Sequence, residues 1–141
     1  YLKVLVEEIH SVVVATVDET GHPHTTVMDM MWEDGKTVYF LTADFKPLYK
    51  RLKEDGRVAV TGMTQGAGTM DRKSISLTGQ VEWIGKEHLE ELLKANPYMY
   101  EIYPTEEGRS HLQVFRFKNA VGNFYDLTQL PPYQARFEIE G

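Results

Sequence analysis

The chain has 141 residues, 21 acidic against 15 basic side chains, a net charge of -6, and no cysteine. With 42% hydrophobic and 26% charged residues, it fits one globular domain with its own core, residues 1–141. The acidic balance argues against nucleic acid as the main partner. The absence of cysteine removes disulfides and thiolate chemistry, and no apolar run reaches the length of a membrane span. A cytoplasmic protein without a membrane partner is the expectation.

Leu2, Leu5, Val6 and Ile9 recur at helical spacing and predict a short N-terminal helix. The β-branched run 11–17 reads as a strand, 18–22 as a hairpin loop, and 24–32 as the second strand. Asp34-Gly35 is the strongest short hairpin signal, and 37–42 is a third strand. Asp44 can cap a helix running to Glu54, with Pro47 in its first turn and Gly56 as its stop. Residues 57–63 form a fourth strand. A Gly-rich loop leads to a fifth at 73–84, with a bulge at Gly79. Residues 86–97 carry Leu89, Leu92 and Leu93 on one helical face and end at Asn96-Pro97. The stretch 111–128 reads as a last hairpin turning at 119–122.

Hairpin links predict a mostly antiparallel sheet of about seven strands, and so a small barrel. The consecutive apolar residues Val12-Val13-Val14 and Val38-Tyr39-Phe40-Leu41 imply strands covered on both faces. Three short helices cannot cover a barrel, so a second copy is expected as the cover, giving a homodimer.

Lys46 falls where a strand feeds a helix N-terminus. Free N–H groups and an ammonium there make an anion site. Lys50 follows four residues later, and Thr42 at the strand end adds a hydroxyl. The spacing leaves both an anion site and a pair of solvated lysines open. The TQGAGT loop, 64–69, lacks the phosphate-loop pattern and reads as a strand connection that can line a pocket. His22 and His24 share a strand face without a third ligand, which favours a hairpin shoulder over a metal site. His10, His88 and His111 are scattered. Met28 to Trp32 and the aromatic run Tyr98 to Tyr103 read mainly as packing, the latter also as dimer surface. No GxSxG nucleophile motif is present.

The string ATVDETGHPHTTVMDMMWEDGKTVYFLTADFKPLYKRLKEDGRVAV, continued by SISLTGQVEWI and FRFKNAVGNFYDLT, resembles the pyridoxamine 5'-phosphate oxidase-like family. These are FMN-binding split-barrel proteins, and the resemblance spans almost the whole chain. It implies a mainly β, α+β fold: an antiparallel split β-barrel that dimerises with FMN at the interface. It implies that Thr26, Val27, Met28 and Asp29 line the flavin and that Thr42 lies near the ribityl-phosphate. It also implies that Lys46 and Lys50 hold the phosphate and that Ser74 or Ser76 faces the cofactor.

Two departures bear on activity. Thr25-Thr26 stands where many members carry Arg. The Arg and His set that grips pyridoxamine phosphate has no counterpart; Arg116 and Arg136 are the only late candidates. Pyridoxamine phosphate oxidase activity is therefore not expected. The leading reading is an FMN-dependent oxidoreductase acting on a small-molecule redox substrate, with no protein group required as catalytic acid or base. The alternatives are a non-enzymatic dimeric barrel binding a small anion or cofactor, and a haem- or deazaflavin-binding relative in which His22, His24 or His111 would be the haem ligand.

Overall fold

A computed structural model describes residues 1–140. Val4–Ile9 form a π-helical turn. The strands are β1 (Ser11–Val17), β2 (Pro23–Asp29), β3 (Trp32–Glu33), β4 (Val38–Ala43), β5 (Arg57–Met63), β6 (Lys73–Gly85), β7 (Leu112–Asp126) and β8 (Tyr133–Glu140). The helices are α1 (Pro47–Glu54), α2 (Leu89–Ala95), α3 (Met99–Ile102) and α4 (Glu106–Arg109). All strands join one antiparallel sheet in the order β2-β1-β5-β6-β7-β4-β3, with β8 added on β7. The sheet curls into a half-barrel, a split-barrel fold. β2 pairs only with β1 and is therefore an edge strand.

Alternation along the strands sets the main core. Val12 and Val14 of β1 point inward with Val58 and Val60 of β5 and Ile75 and Leu77 of β6. Phe40, Phe115 and Phe117 fill the centre, each at most 1% exposed. Phe40 and Phe115 are stacked at 5.8 Å. A second cluster lies on the other side of β4 and β7, where Tyr39, Leu41, Leu112 and Val114 pack on Leu92, Leu93 and Met99 of α2 and α3.

That second cluster corrects one part of the sequence argument. β4 is buried at every position, but its outer face is covered by this chain's own helices and needs no second copy. β1 differs: Val13 is 38% exposed.

Several boundaries also shift. The predicted second strand breaks at Met30, whose N–H turns to the His10 carbonyl at 2.7 Å, before the short β3 begins. Asp44 does not cap α1. Its carboxylate lies 2.9 Å from His111 Nδ1, and the cap position belongs to Lys46, which is extended and makes no side-chain cap bond. The helix does end at Glu54 as expected, but its C-cap is Asp55, one residue before Gly56. Register shifts in β6 fall at Gln80/Val81 and Trp83/Gly85, not at Gly79. The expected turn at 119–122 is absent: β7 runs straight through, pairing there with both β6 and β8. The last hairpin is β7–β8, and β8 lies beyond the stretch read as the final element.

Two glycines separate crowding from backbone strain. A Cβ on Gly79 would lie 2.1 Å from the Asn119 carbonyl oxygen and 2.5 Å from Ala120 Cα, both backbone. Gly35 has open space but a φ of +87°. Gly79→Ala should cost at least the upper part of the ~1–3 kcal/mol typical of overpacking, and Gly35→Ala about 1 kcal/mol. Urea unfolding followed by circular dichroism reads both; a smaller loss for Gly79→Ala than for Gly35→Ala would contradict the close β6–β7 approach.

Candidate functional site

The edge of β2, the end of β4 and the start of α1 converge on a cleft of about 270 Å³. Thr26, Val27, Met28 and Asp29 line it from β2, Thr42 and Ala43 from β4, and Lys46 and Leu48 from the turn into α1. Met99, Ile102 and Tyr103 close it from the α3 side. Side chains of a strand alternate between faces, so four consecutive residues lining one cleft bring the strand's backbone edge to it as well as alternate side chains. The unpaired edge of β2 therefore forms a wall of N–H and C=O groups. Met28, Met31, Leu41 and Met99 supply an apolar, polarisable floor.

Electrostatically, Lys46 dominates this cleft. It is exposed and, among the described residues, makes no ion pair. No acidic residue occupies the first turn of α1, so the partial positive charge of the helix start adds to the ammonium. Pro47 at the first helical position brings no N–H, which leaves Leu48 as the first helical residue with a donor. A cation, a helix start and the Thr42 hydroxyl within one small cleft are a donor set for an oxyanion.

The cleft's far wall is fixed by a polar network that the sequence did not reveal. The Tyr98 hydroxyl donates to Asp29 Oδ2 at 2.7 Å, and the Ser11 hydroxyl donates to Asp29 Oδ1 at 2.7 Å. His10 Nε2 lies 2.8 Å from the Tyr98 oxygen, and its Nδ1 lies 3.1 Å from the Val6 carbonyl oxygen. Burial, and then the hydrogen bond to Asp29, push the Tyr98 phenol well above its usual pKa. Asn96, 5% exposed, donates to the Met31 and Leu92 carbonyls, both at 2.8 Å. Asp29 is thus a braced wall residue. Tyr98 serves this brace, while Met99 and Tyr103 of the same aromatic run line the cleft.

Six of the nine residues singled out from sequence therefore meet: Thr26, Val27, Met28, Asp29, Thr42 and Lys46. Lys50 is exposed and does not line the cleft, because Lys46 lies outside the helix and helical i,i+4 spacing does not relate them. Ser74 and Ser76 line two other hollows, of about 670 and 380 Å³. His24 pairs with Asp18 at 2.8 Å and His22 lies 2.8 Å from the Thr20 hydroxyl, the hairpin-shoulder arrangement. The His24 contact first, then the Thr20 hydroxyl and the His22 backbone N–H, which both donate to Asp18, hold its carboxyl well below the usual range. Arg116 is paired with Glu82 at 2.7 Å and Arg136 with Glu138 at 2.8 Å. Among the described residues no cluster of potential metal ligands occurs, and no helix is long and apolar enough to cross a membrane.

No curated protein matches the chain in sequence. Solved structures share its fold at low identity. A NimC/NimA family protein from Clostridium acetobutylicum superposes with a TM-score of 0.77 at 21% identity, covering 95% of this chain and 87% of that one. A heme binding protein from Mycobacterium smegmatis gives 0.71 at 13% identity, covering 95% and 55%. An F420 reductase gives 0.63 at 20% identity, covering 82% and 90%. The family model described as pyridoxamine 5'-phosphate oxidase matches residues 2–125, and the chain belongs to that family.

Proposed function

We propose that the protein binds FMN and acts as a flavin-dependent oxidoreductase on a small-molecule redox substrate. The observation that carries the reading is the unpaired Lys46 at the start of α1, in one cleft with Thr42 and the exposed backbone edge of residues 26–29. In this reading Lys46, the helix start and Thr42 hold the phosphate. The β2 edge hydrogen-bonds the pyrimidine side of the ring, and the methionine floor takes its apolar face. Bound flavin supplies the electron or hydride transfer; the chain supplies position and exclusion of water. None of His22, His24 and His111, the histidines weighed as haem ligands, lines the cleft, although a structural neighbour is a heme binding protein.

A second copy of the chain completes the site in this reading. A cleft of about 270 Å³ falls below the ~300–1,000 Å³ typical of enclosing ligand pockets. The outer face of the sheet offers the contact. Across β2, β1, β5, β6 and β7 the residues Val27, Val13, Thr61, Ser76 and Asn123 form one row in register. Thr25, Ala15, Ala59, Thr78 and Val121 form the next. Neither row carries a charge. Val27 is 70% exposed. Uncharged, small and apolar rows on a chain of net charge -6 have the composition of an interface core.

Lys46→Ala should weaken FMN binding by about 1.5–3 kcal/mol, the range for a charge-assisted hydrogen bond, and leave riboflavin nearly unaffected. Titration with flavin fluorescence readout tests this; equal loss for both ligands would remove the phosphate from Lys46. Failure to bind FMN, with uptake of haem or a deazaflavin instead, would overturn the cofactor assignment. Sedimentation should find the wild type dimeric, and Ala59→Glu, which puts a charge in the second row, should give monomers with weakened FMN binding. A monomeric wild type would refute the second copy.

A further inference from the structure

We infer that His10, Tyr98 and Asp29 form a proton relay between the Lys46 cleft and a separate hollow beside the N-terminal turn. The relay rests on the flavin reading, whose redox chemistry gives it a proton to move. The hollow, about 510 Å³, is lined by His10 and Glu7 of the N-terminal segment, Trp32 and Glu33 of β3, and Asn96 at the end of α2. It shares only Met31 with the cleft. Three ionisable side chains line the cleft: Asp29, Lys46 and Tyr103. Among the described residues, Asp29 alone of these has side-chain hydrogen bonds, and they lead away towards His10.

Hydrogen-bond accounting shows how a proton passes. The Val6 carbonyl, 3.1 Å from His10 Nδ1, can only accept, so Nδ1 keeps a proton. The remaining contacts are Nε2 to the Tyr98 oxygen at 2.8 Å and that oxygen to Asp29 Oδ2 at 2.7 Å. They can be satisfied in two ways. In one, Nε2 donates to Tyr98 and Tyr98 donates to the carboxylate. In the other, a protonated Asp29 donates to Tyr98 and Tyr98 donates to a bare Nε2. The two differ by one proton moved from Nε2 to Oδ2, and no electron moves. Tyr98 gives one proton as it takes another and stays a phenol, in keeping with burial, and then the Asp29 bond, raising its pKa. Ser11 occupies Oδ1 and leaves Oδ2 to the relay. The His10 side chain is 30% exposed, so solvent can return the proton to the ring.

The backbone at His10 supports a role for this ring. Its φ of 62° and ψ of -66° are those of the strained γ-turn, which a residue with a side chain rarely adopts. The conformation is held on both sides: the His10 N–H donates to the Leu5 carbonyl at 2.8 Å, and the His10 carbonyl accepts from Met30 at 2.7 Å. The charged groups around the ring are Lys3 and Glu7 from the N-terminal turn, Glu33 from β3 and Asp29 from β2. Of these only Asp29 lies within 4 Å of a ring nitrogen, at 3.5 Å. With a second copy closed over the cleft and water excluded, such a chain of groups carries the protons that accompany electron transfer.

The first arm of the test uses the protein without cofactor. Nitrogen-15 NMR of the His10 ring at neutral pH should show a proton on Nδ1; a bare Nδ1 would overturn the relay. In the second arm FMN-loaded protein is photoreduced and reoxidised by menadione, which leaves with two electrons and two protons. Reoxidation should be slower in deuterium oxide. His10→Gly, in which glycine accepts the φ of 62°, should slow it roughly 10- to 100-fold, at or below the lower end for a positioned proton-transfer group. Added imidazole should restore the rate. Tyr98→Phe should slow it as much, without rescue. FMN affinity and circular dichroism should stay unchanged in both. The absence of a solvent isotope effect, an unslowed His10→Gly, or a loss that imidazole does not restore would overturn the relay. Loss of FMN affinity in either variant would leave the three residues as a brace alone. No FMN binding by the wild type would instead sink the flavin reading, on which the Nδ1 result does not depend.

Discussion

The pairing of β7 with three other strands is the constraint on which the remaining structure depends. Over its fifteen residues β7 bonds to β6 along almost its full length, to β4 at its first half and to β8 at its second. Its inward side chains Phe115 and Phe117 are completely buried. Its opposite face in the first half, through Leu112 and Val114, anchors the helical layer. The end of β4, with Thr42 and Ala43, is therefore held against Gln113 and Leu112. That is where the chain must turn into α1 and present Lys46. The cleft is a by-product of where β7 stops supporting β4.

Charge is distributed to match. Four of the cations outside the cleft have acids beside them: Arg57 with Asp55, Arg116 with Glu82, Arg136 with Glu138 and Lys73 with Glu8. Exposed pairs of this kind contribute little to stability. Asp29, the one acid in the cleft wall, is turned to Ser11 and Tyr98. Its negative charge is thereby spread over two donors and weakened towards the Lys46 side. An anion arriving at Lys46 meets a cleft whose only carboxylate is already engaged.

Much of this was legible in the sequence where the signal is local. Strand runs such as Ser11–Val17 and Arg57–Met63 were read to the residue, because β-branched composition and flanking turns specify them. The strand-to-helix passage was visible too, with Lys46 at its start. What could not be read is what depends on long-range pairing. Asn119 to Gly122 look like a turn alone, yet β6 on one side and β8 on the other hold them extended. β8 is an exception: Tyr133, Ala135, Phe137 and Ile139 alternate with polar residues, a local strand signal that was there to be read. His10, Asp29 and Tyr98 are far apart in the chain, and only the closing of β2 against the α2–α3 segment brings them together.

The position of β2 at the sheet edge has a consequence for handling the protein. An edge strand keeps a row of unsatisfied donors and acceptors, the same feature that lets one chain add to another and start aggregation. β2 has the uncharged run Thr25 to Met28 along that edge, with none of the lysines that usually guard such strands. A molecule hydrogen-bonded along residues 26–29 would act as a cap on the sheet. If that molecule is the proposed flavin, its supply during expression would govern solubility as well as colour, and material made without it would carry an open template for its own misassembly.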